Sequence, residues 1–327
     1  MRKPSVVPSG ASTLTLILAL VGCNCVLLFI FFANALPIYY YGLKKYLLYA
    51  FLPYSAFNAI ARFEKEGGMT FPFFAKYFPL FPILRRHLNL TVELHPELAK
   101  AERKDAAQFI FAMFPHGCGS DFRILLQGML PSVLPNIHER VRSLAASVLF
   151  LLPVLREFTL FTGCISASRP VAERALKAGR SLIILPGGEA EQLMTARRQE
   201  KIYLSKRKGF VKLALRQGVP LVPCYVFGSV DLFHTSDLLY APRHWIMKNF
   251  GVCLPLCWGL GGSLCPLPVK NTVVMGEPLS FKKCADPDYV TSEELDAAHD
   301  EFCVSLKKLF DDNKGKYGVG DRELCII

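Results

Sequence analysis

Apolar and polar positions divide the 327-residue chain into a front segment and a longer, punctuated remainder. Residues 1–12 are polar and carry Arg2 and Lys3. Residues 14–36 contain no charge, a run long enough to cross the hydrocarbon of a bilayer. A cleaved signal peptide has a shorter apolar core and a small-residue cleavage site, so the pattern predicts a retained segment. Pro37 is expected to break the run; Tyr39, Tyr40 and Tyr41 suit an interface, and Lys44 and Lys45 follow. A second apolar stretch, residues 46–61, is shorter and contains Pro53. Basic residues flank both stretches, at Arg2 and Lys3, Lys44 and Lys45, and Arg62 and Lys65, so charge asymmetry gives no orientation. The alternatives are one span followed by an interfacial stretch, or a helical hairpin. The hairpin is preferred because the remainder reads as cytosolic.

Residues 71–86 interleave aromatics with prolines and end on Arg85 and Arg86. Prolines argue against a regular helix there and for a segment lying at the membrane surface, an apolar loop packed on the core being the competing reading. Beyond residue 95 the pattern alternates between helix and strand. Residues 108–113 form an apolar strand ended by Pro115-His116-Gly117. Residues 170–178 predict a helix closed by Gly179, 181–185 a strand ended by Pro186-Gly187-Gly188, and 209–217 a helix with Phe210, Leu213 and Ala214 on one face and Gly218 as its stop. Residues 219–227 form a strand that Pro223 places toward an edge, and 271–275 another. Thr291 with Glu294 forms a capping box before a helix whose buried stripe is Leu295, Ala298, Phe302, Leu306 and Leu309. This predicts a polar N-terminus (1–12), a membrane anchor (13–65) and a single α/β domain with a central mixed sheet (66–327).

Composition sharpens this reading. A mean hydropathy of +0.30 with 52% hydrophobic residues is high for a soluble protein, and the net charge is +11. Together they indicate a protein seated on an anionic membrane surface. Nucleic-acid modules leave signatures that are missing here, with no zinc spacing, basic region before heptads or aromatic RNP stretch. The eleven cysteines have no framework spacing, which points to a reducing compartment. Cys253 and Cys257 lack partners at zinc spacing and read as core residues.

The candidate chemistry sits at strand ends. His116 follows a buried strand, where open α/β sheets hold their sites. Asp121 lies five positions on, within reach of the ring if a helix starts directly; the bland reading is a hydrogen-bonded histidine and a helix cap. Gly187 and Gly188 allow close backbone approach, with Glu191 just beyond to orient a polar partner; a tight turn with a solvated glutamate is the plain alternative. Between residues 197 and 216 eight cations face one acid, Glu200. Most of this run reads as solvated or membrane-facing surface, but Arg207 and Lys208 precede a helix and could reach phosphates near its amino end. No nucleophile elbow, phosphate-binding loop, dinucleotide fingerprint or HExxH is present.

These blocks together resemble the type-2 diacylglycerol acyltransferase family, which includes monoacylglycerol and wax-alcohol acyltransferases. The hallmark His-Pro-His-Gly is similar to Phe114-Pro115-His116-Gly117, with His116 at the second histidine. Tyr77-Phe78-Pro79 resembles the Tyr-Phe-Pro segment. Gly187, Gly188, Glu191 and Leu193 match Gly-Gly-x-x-Glu-x-Leu, and residues 207–211 match Arg-Lys-Gly-Phe-Val. Leu221-Val222-Pro223, Phe227-Gly228 with Asp231-Leu232, and residues 274–278 also fit. Phe114 departs from the first histidine, and Ser229 stands where the family has glutamate. The spacing from His116 to Asp121 is similar to that of broader glycerolipid acyltransferases.

The resemblance implies transfer of an acyl group from acyl-CoA, as co-substrate, to a neutral-lipid hydroxyl, with diacylglycerol the first expectation. It implies His116 as base, Glu191 or Asp121 holding its ring, and the amides of Gly117, Gly187 and Gly188 near an oxyanion. Pro115, Arg207, Lys208, Gly209 and Phe210 complete the expected substrate contacts; no metal or cofactor is expected. Expected partners are acyl-CoA, diacylglycerol and the bilayer, not nucleic acid, with homo-oligomerisation left open. The expected location is the endoplasmic reticulum membrane, domain toward the cytosol, or a lipid-droplet surface. Lysophospholipid, glycerol-phosphate, monoacylglycerol or wax-alcohol acceptors stay open, as does a non-catalytic lipid-binding protein.

Overall fold

The computed structural model describes residues 7–282 and 290–327, so Arg2 and Lys3 of the expected polar N-terminus lie outside the described residues. Seven strands form the central sheet: β1 (Thr91–Leu94), β2 (Ile110–Phe114), β3 (Val141–Ala145), β4 (Cys164–Ser166), β5 (Ser181–Ile184), β6 (Leu221–Phe227) and β7 (Thr272–Met275). Their order is β1-β7-β6-β2-β5-β3-β4. Every neighbouring pair is parallel except β6 and β7, giving the mixed α/β sheet that the alternation predicts. The helices that matter here are α1 (Thr13–Tyr46), α2 (Leu52–Ala61), α3 (Asp121–Gln127), α4 (Arg169–Lys177), α5 (Gly188–Met194), α6 (Gly209–Gln217), α7 (Tyr240–Phe250) and α8 (Ser292–Asn313).

Strand periodicity explains the two-sided core. Along β2, Ile110, Ala112 and Phe114 face a layer built by α4, α6 and α8, where Ala172, Phe210, Ala214, Phe302 and Phe310 meet. Phe111 and Met113 point the other way, onto Phe81, Phe122, Leu125 and Leu126. A strand covered on both faces has no reason to alternate with polar residues, which is why β2 is an unbroken apolar run. Each fully buried phenylalanine or leucine contributes about 1.5–3 kcal/mol to holding the layers together. Helix α8 starts at the anticipated capping box: the Glu294 amide donates to Thr291 Oγ1 and the Thr291 amide to Glu294 Oε2, both at 3.2 Å.

Pro223 does not mark an edge, for β6 lies between β2 and β7 and is buried throughout. The Pro223 carbonyl accepts from the Gly276 amide at 2.8 Å, so its missing N–H also faces the β7 side. There the ladder has ended at Cys224 opposite Met275, and the next pairing is the isolated bridge from Leu221 to Leu279. The absent donor falls in that gap and costs no ladder hydrogen bond.

At the front of the chain the break comes at Gly42, not at Pro37, which sits inside α1. Gly42 has φ 77° and ψ 153°, open to glycine, whereas proline keeps a helical φ and removes one hydrogen bond only. The Tyr46 hydroxyl donates to Asn34 Oδ1 at 3.2 Å. Twelve residues of continuous helix span about 18 Å, so the chain has folded back at Gly42. Asn34 also donates to the Pro153 carbonyl (3.4 Å) and Tyr54 to Glu157 (2.7 Å), which ties both arms to residues 153–157. Of α1 only Ala19 and Cys23 are buried, against Leu80 and Cys265. Leu14, Val21, Leu28, Phe29, Phe31, Tyr39, Tyr49, Phe57 and Ile60 stand exposed, the last by 82%. Residues 13–66 form a helical segment long and apolar enough to cross a bilayer.

Residues 71–86 contain two short helices, Pro72–Tyr77 and Leu80–His87, where no regular helix was expected. Pro72 opens the first and Pro79 caps the second, positions that require no intrahelical amide. Phe74, Phe78 and Phe81 pack there against Phe158 with ring centroids 4.8–6.2 Å apart. Cys253 and Cys257, expected in the core, are only partly buried.

Candidate active site

The turns after β2 and β5 meet at His116. β2 and β5 are parallel neighbours, with Ala112 opposite Ile184, so the residues that follow each strand emerge side by side. Pro115 leaves Phe114 through a cis peptide and Gly117 has φ 67°, a conformation suited to glycine. His116 retains intermediate exposure. Its Nδ1 lies 3.1 Å from the Gly117 carbonyl. A carbonyl can only accept, so as a hydrogen bond this contact requires the proton on Nδ1, with Nε2 as the ring's acceptor. Ser120 Oγ lies 3.1 Å from Nδ1 and 3.3 Å from Nε2. Burial lowers the imidazole pKa, opposed by the Gly117 hydrogen bond and the nearby charge of Glu189.

Glu191 holds the backbone rather than the ring. Its Oε1 accepts the amide of His116 and its Oε2 the amide of Tyr203, the latter at 2.8 Å. The side chain is 1% exposed, and burial pushes its pKa up to about 7 against the pull of both amides and of Arg207. The next residue, Gln192, donates to the Cys118 carbonyl. Two consecutive side chains of α5 therefore clamp the loop that carries His116. The Gly-Gly turn makes this clamp sterically feasible: a Cβ on Gly187 would collide with the Glu191 carboxylate, and Gly188 has φ 55°. The Gly188 amide donates to the Leu185 carbonyl at 3.1 Å, which commits it to the turn.

Asp121 begins α3, but among the described residues no hydrogen bond joins its carboxylate to the His116 ring. The carboxyl group turns back over Gly119, where burial raises its pKa to about 6. Phe114, at the position of the first family histidine, is fully buried and packs toward Phe302, so its side chain belongs to the core. Ser229 is buried and its carbonyl backs Gly117, where an added Cβ would lie 3.6 Å away. The two anticipated basic contacts diverge. The Arg207 guanidinium lies over the Tyr203 ring at 5.0 Å, and Lys208 pairs with Asp296 on α8 at 2.6 Å. Phe210 packs on Phe302, and Gly209 starts α6 beside it.

Sequence reasoning missed two features. Ser120 touches the ring, and its only signal was a hydroxyl four residues after the histidine. The other is a buried ionic group that fixes the segment leading to Tyr203. Arg322 donates to Glu200 (2.8 Å) and Asp231 (2.7 Å), and the Tyr225 hydroxyl donates to Glu200 (2.6 Å). Cys325 and Ile326 then pair with Lys201 and Ile202 in a short parallel ladder. Glu200, read as the lone acid of a solvated basic run, is a buried anchor. A surface cavity of about 570 Å³ opens between Phe73, Tyr77, Leu130 and Pro131, at the far end of α3 from His116.

The fold and site define an α/β protein with a polarised imidazole at a strand end and an apolar helical segment in front. Residues 29–327 match the family described as diacylglycerol acyltransferase, and the chain belongs to that family. Diacylglycerol O-acyltransferase 1 of Saccharomyces cerevisiae is 32% identical over 235 residues, 67% of this chain and 55% of the relative. The Eremothecium gossypii protein of the same name is 32% identical over 268 residues, 76% of this chain and 56% of its own length. Diacylglycerol O-acyltransferase 2 of Homo sapiens is 30% identical over 275 residues, covering 78% and 65% of the two chains. The chain thus spans a little over half the length of the two fungal relatives. Among solved structures, the 1-acyl-sn-glycerophosphate acyltransferase PlsC of Thermotoga maritima overlaps at a TM-score of 0.41 and 18% identity, covering 89% of this chain and 96% of the other, too loosely to carry any residue across.

Proposed function

We propose that this protein transfers a fatty acyl group from acyl-CoA to the free hydroxyl of diacylglycerol, forming triacylglycerol. The observation that carries the chemistry is the 3.1 Å contact between His116 Nδ1 and the Gly117 carbonyl, which as a hydrogen bond puts the proton on Nδ1 and makes Nε2 the base. Nε2 takes the acceptor's hydroxyl proton as the oxygen attacks the thioester carbonyl carbon. The tetrahedral adduct collapses by breaking the C–S bond, and the imidazolium returns the proton to the CoA thiolate. Glu191 and Gln192 keep the loop fixed so that the ring does not reorient during the cycle.

The acceptor is too apolar to arrive through water, and the surroundings fit delivery from lipid. Apolar residues within 13–61 stand exposed, and α7, with no buried residue, presents Tyr240, Trp245 and Phe250 beside α5. The folded-back front segment is read as a hairpin anchor in the endoplasmic reticulum membrane, with the α/β domain toward the cytosol and access to lipid-droplet surfaces. Purified protein in mixed micelles with labelled acyl-CoA tests this reading against diacylglycerol, monoacylglycerol, long-chain alcohol and lysophosphatidate. Triacylglycerol as the main product supports it; preferred use of another acceptor replaces diacylglycerol, and no ester from any acceptor refutes acyl transfer.

A further inference from the structure

We propose that the cleft between α4 and α6, beyond the carboxyl ends of β3 and β5, binds the phosphate-bearing end of CoA; this rests on the acyl-CoA reading above. The cleft encloses about 250 Å³. Its floor is apolar, made by Leu144, Ala172, Ile184, Phe210 and Leu213, and its rim is basic, made by Arg169, Lys212 and Arg216. A phosphate ester attached to an aromatic or apolar body matches both parts.

The rim is pre-arranged. Glu173 accepts from Arg169 Nε at 2.9 Å and lies 3.5 Å from Arg216 Nη1, so one carboxylate holds two guanidinium groups at the wall. Among the described residues, Arg169 and Lys212 line the recess with Glu173 as the acid beside them, a positive field in a partly desolvated site. The amino ends of α4 and α6 also open onto the cleft, through Ser168 and Gly209, and the positive ends of the two helix dipoles add to that field.

Location selects the source of the phosphate. Ile184 on the floor is in register with Ala112, and His116 follows Ala112 by four residues. Their α-carbons can lie at most about 19 Å apart, from about 14 Å of extended chain and about 5 Å of strand spacing. A separation within that limit lets CoA's pantetheine arm reach from phosphates in the cleft to a thioester at the imidazole. The α4 and α6 layer covers one face of the sheet, whereas α1 packs through Leu80 on the side of Phe81 and Leu84, the other face. Arg169, with 61% of its side chain exposed, is open to solvent. A soluble polyanion therefore fits the cleft better than a lipid headgroup. The basic pair singled out by the sequence is engaged elsewhere, Lys208 by Asp296 and Arg207 on Tyr203.

The test uses full-length protein in detergent micelles, with adenosine 3′,5′-bisphosphate as the probe. Wild type is expected to bind it by calorimetry, and it should inhibit competitively against acyl-CoA. The double variant Arg169→Glu with Lys212→Glu should lose this binding and raise KM for acyl-CoA about tenfold or more, with KM for diacylglycerol unchanged. The conservative pair Arg169→Lys with Lys212→Arg should restore both, which separates charge from folding. Unchanged KM and unchanged nucleotide binding in the charge-reversed protein overturn the proposal, as does displacement by lysophosphatidate micelles but not by the nucleotide. If wild type forms no ester yet binds the nucleotide through these residues, the acyl-transfer reading fails while the cleft stands.

Discussion

Pro115-His116-Gly117 closes β2 and Pro186-Gly187-Gly188 closes β5, two adjacent parallel strands whose ends carry similar punctuation. The first turn carries a partly exposed ring whose Nδ1 lies against the Gly117 carbonyl. The second turns its carboxylate inward, 1% exposed, and spends both oxygens on backbone amides. One turn supplies the reacting group and the other the mount. Stripping the second turn of side-chain atoms is what lets Glu191 fold beneath it.

Three predictions sharpen that division, taken from the largest effect down. Glu191→Gln should lower kcat by about 10–100-fold, because an amide can accept only one of the two N–H groups and leaves the other facing its own NH2, a mismatch of about 1–3 kcal/mol. Steady-state kinetics with matched expression check it; a change confined to KM would show that Glu191 does not position the base. The same substitution should also alter pH dependence. The folded pKa of Glu191 is raised from the ordinary carboxyl value to about 7, so the unfolded chain releases its proton first and wild-type stability falls as pH rises from about 4.5 to 7. Melting temperatures across that window should show a shallower fall for Glu191→Gln. The smallest effect is expected at Asp121→Asn, within about threefold in kcat/KM, since no hydrogen bond links this carboxylate to the ring among the described residues. A loss of a hundredfold would move Asp121 into the machinery.

Much of this arrangement was legible in the chain. Buried parallel strands bounded by proline and glycine announce themselves, so β2, β5, the α6 helix and the capped α8 fell within a residue or two of expectation. Strand β4 has only three residues, and β3 carries Arg142 and Ser143 in place of an apolar run, so neither has a strong pattern to reveal it. Pro223 misled because only the neighbouring ladder shows that its missing donor faces a gap. The supports of His116 were harder. Spacing suggested Asp121, on the assumption that a helix begins at once, yet Ser120 adopts φ 53° and brings its own hydroxyl to the ring. Glu191 was expected at the imidazole, and no pattern distinguishes a glutamate that binds a side chain from one that binds the amide behind it. The tie from Arg322 to Glu200 joins positions 122 residues apart, which periodicity cannot register.

The account stands on Nε2 of His116 acting as a base, and the direct measurement is acyl transfer from labelled acyl-CoA to diacylglycerol by His116→Ala across a pH series. Because burial depresses the imidazole pKa, wild-type kcat/KM should fall on the acid side with a midpoint below 6.5. The variant should lose about 10²–10⁴-fold in rate and with it that acid limb, while still accumulating in membranes with an unchanged melting temperature. Turnover near the wild-type level, with the same acid limb, would contradict it.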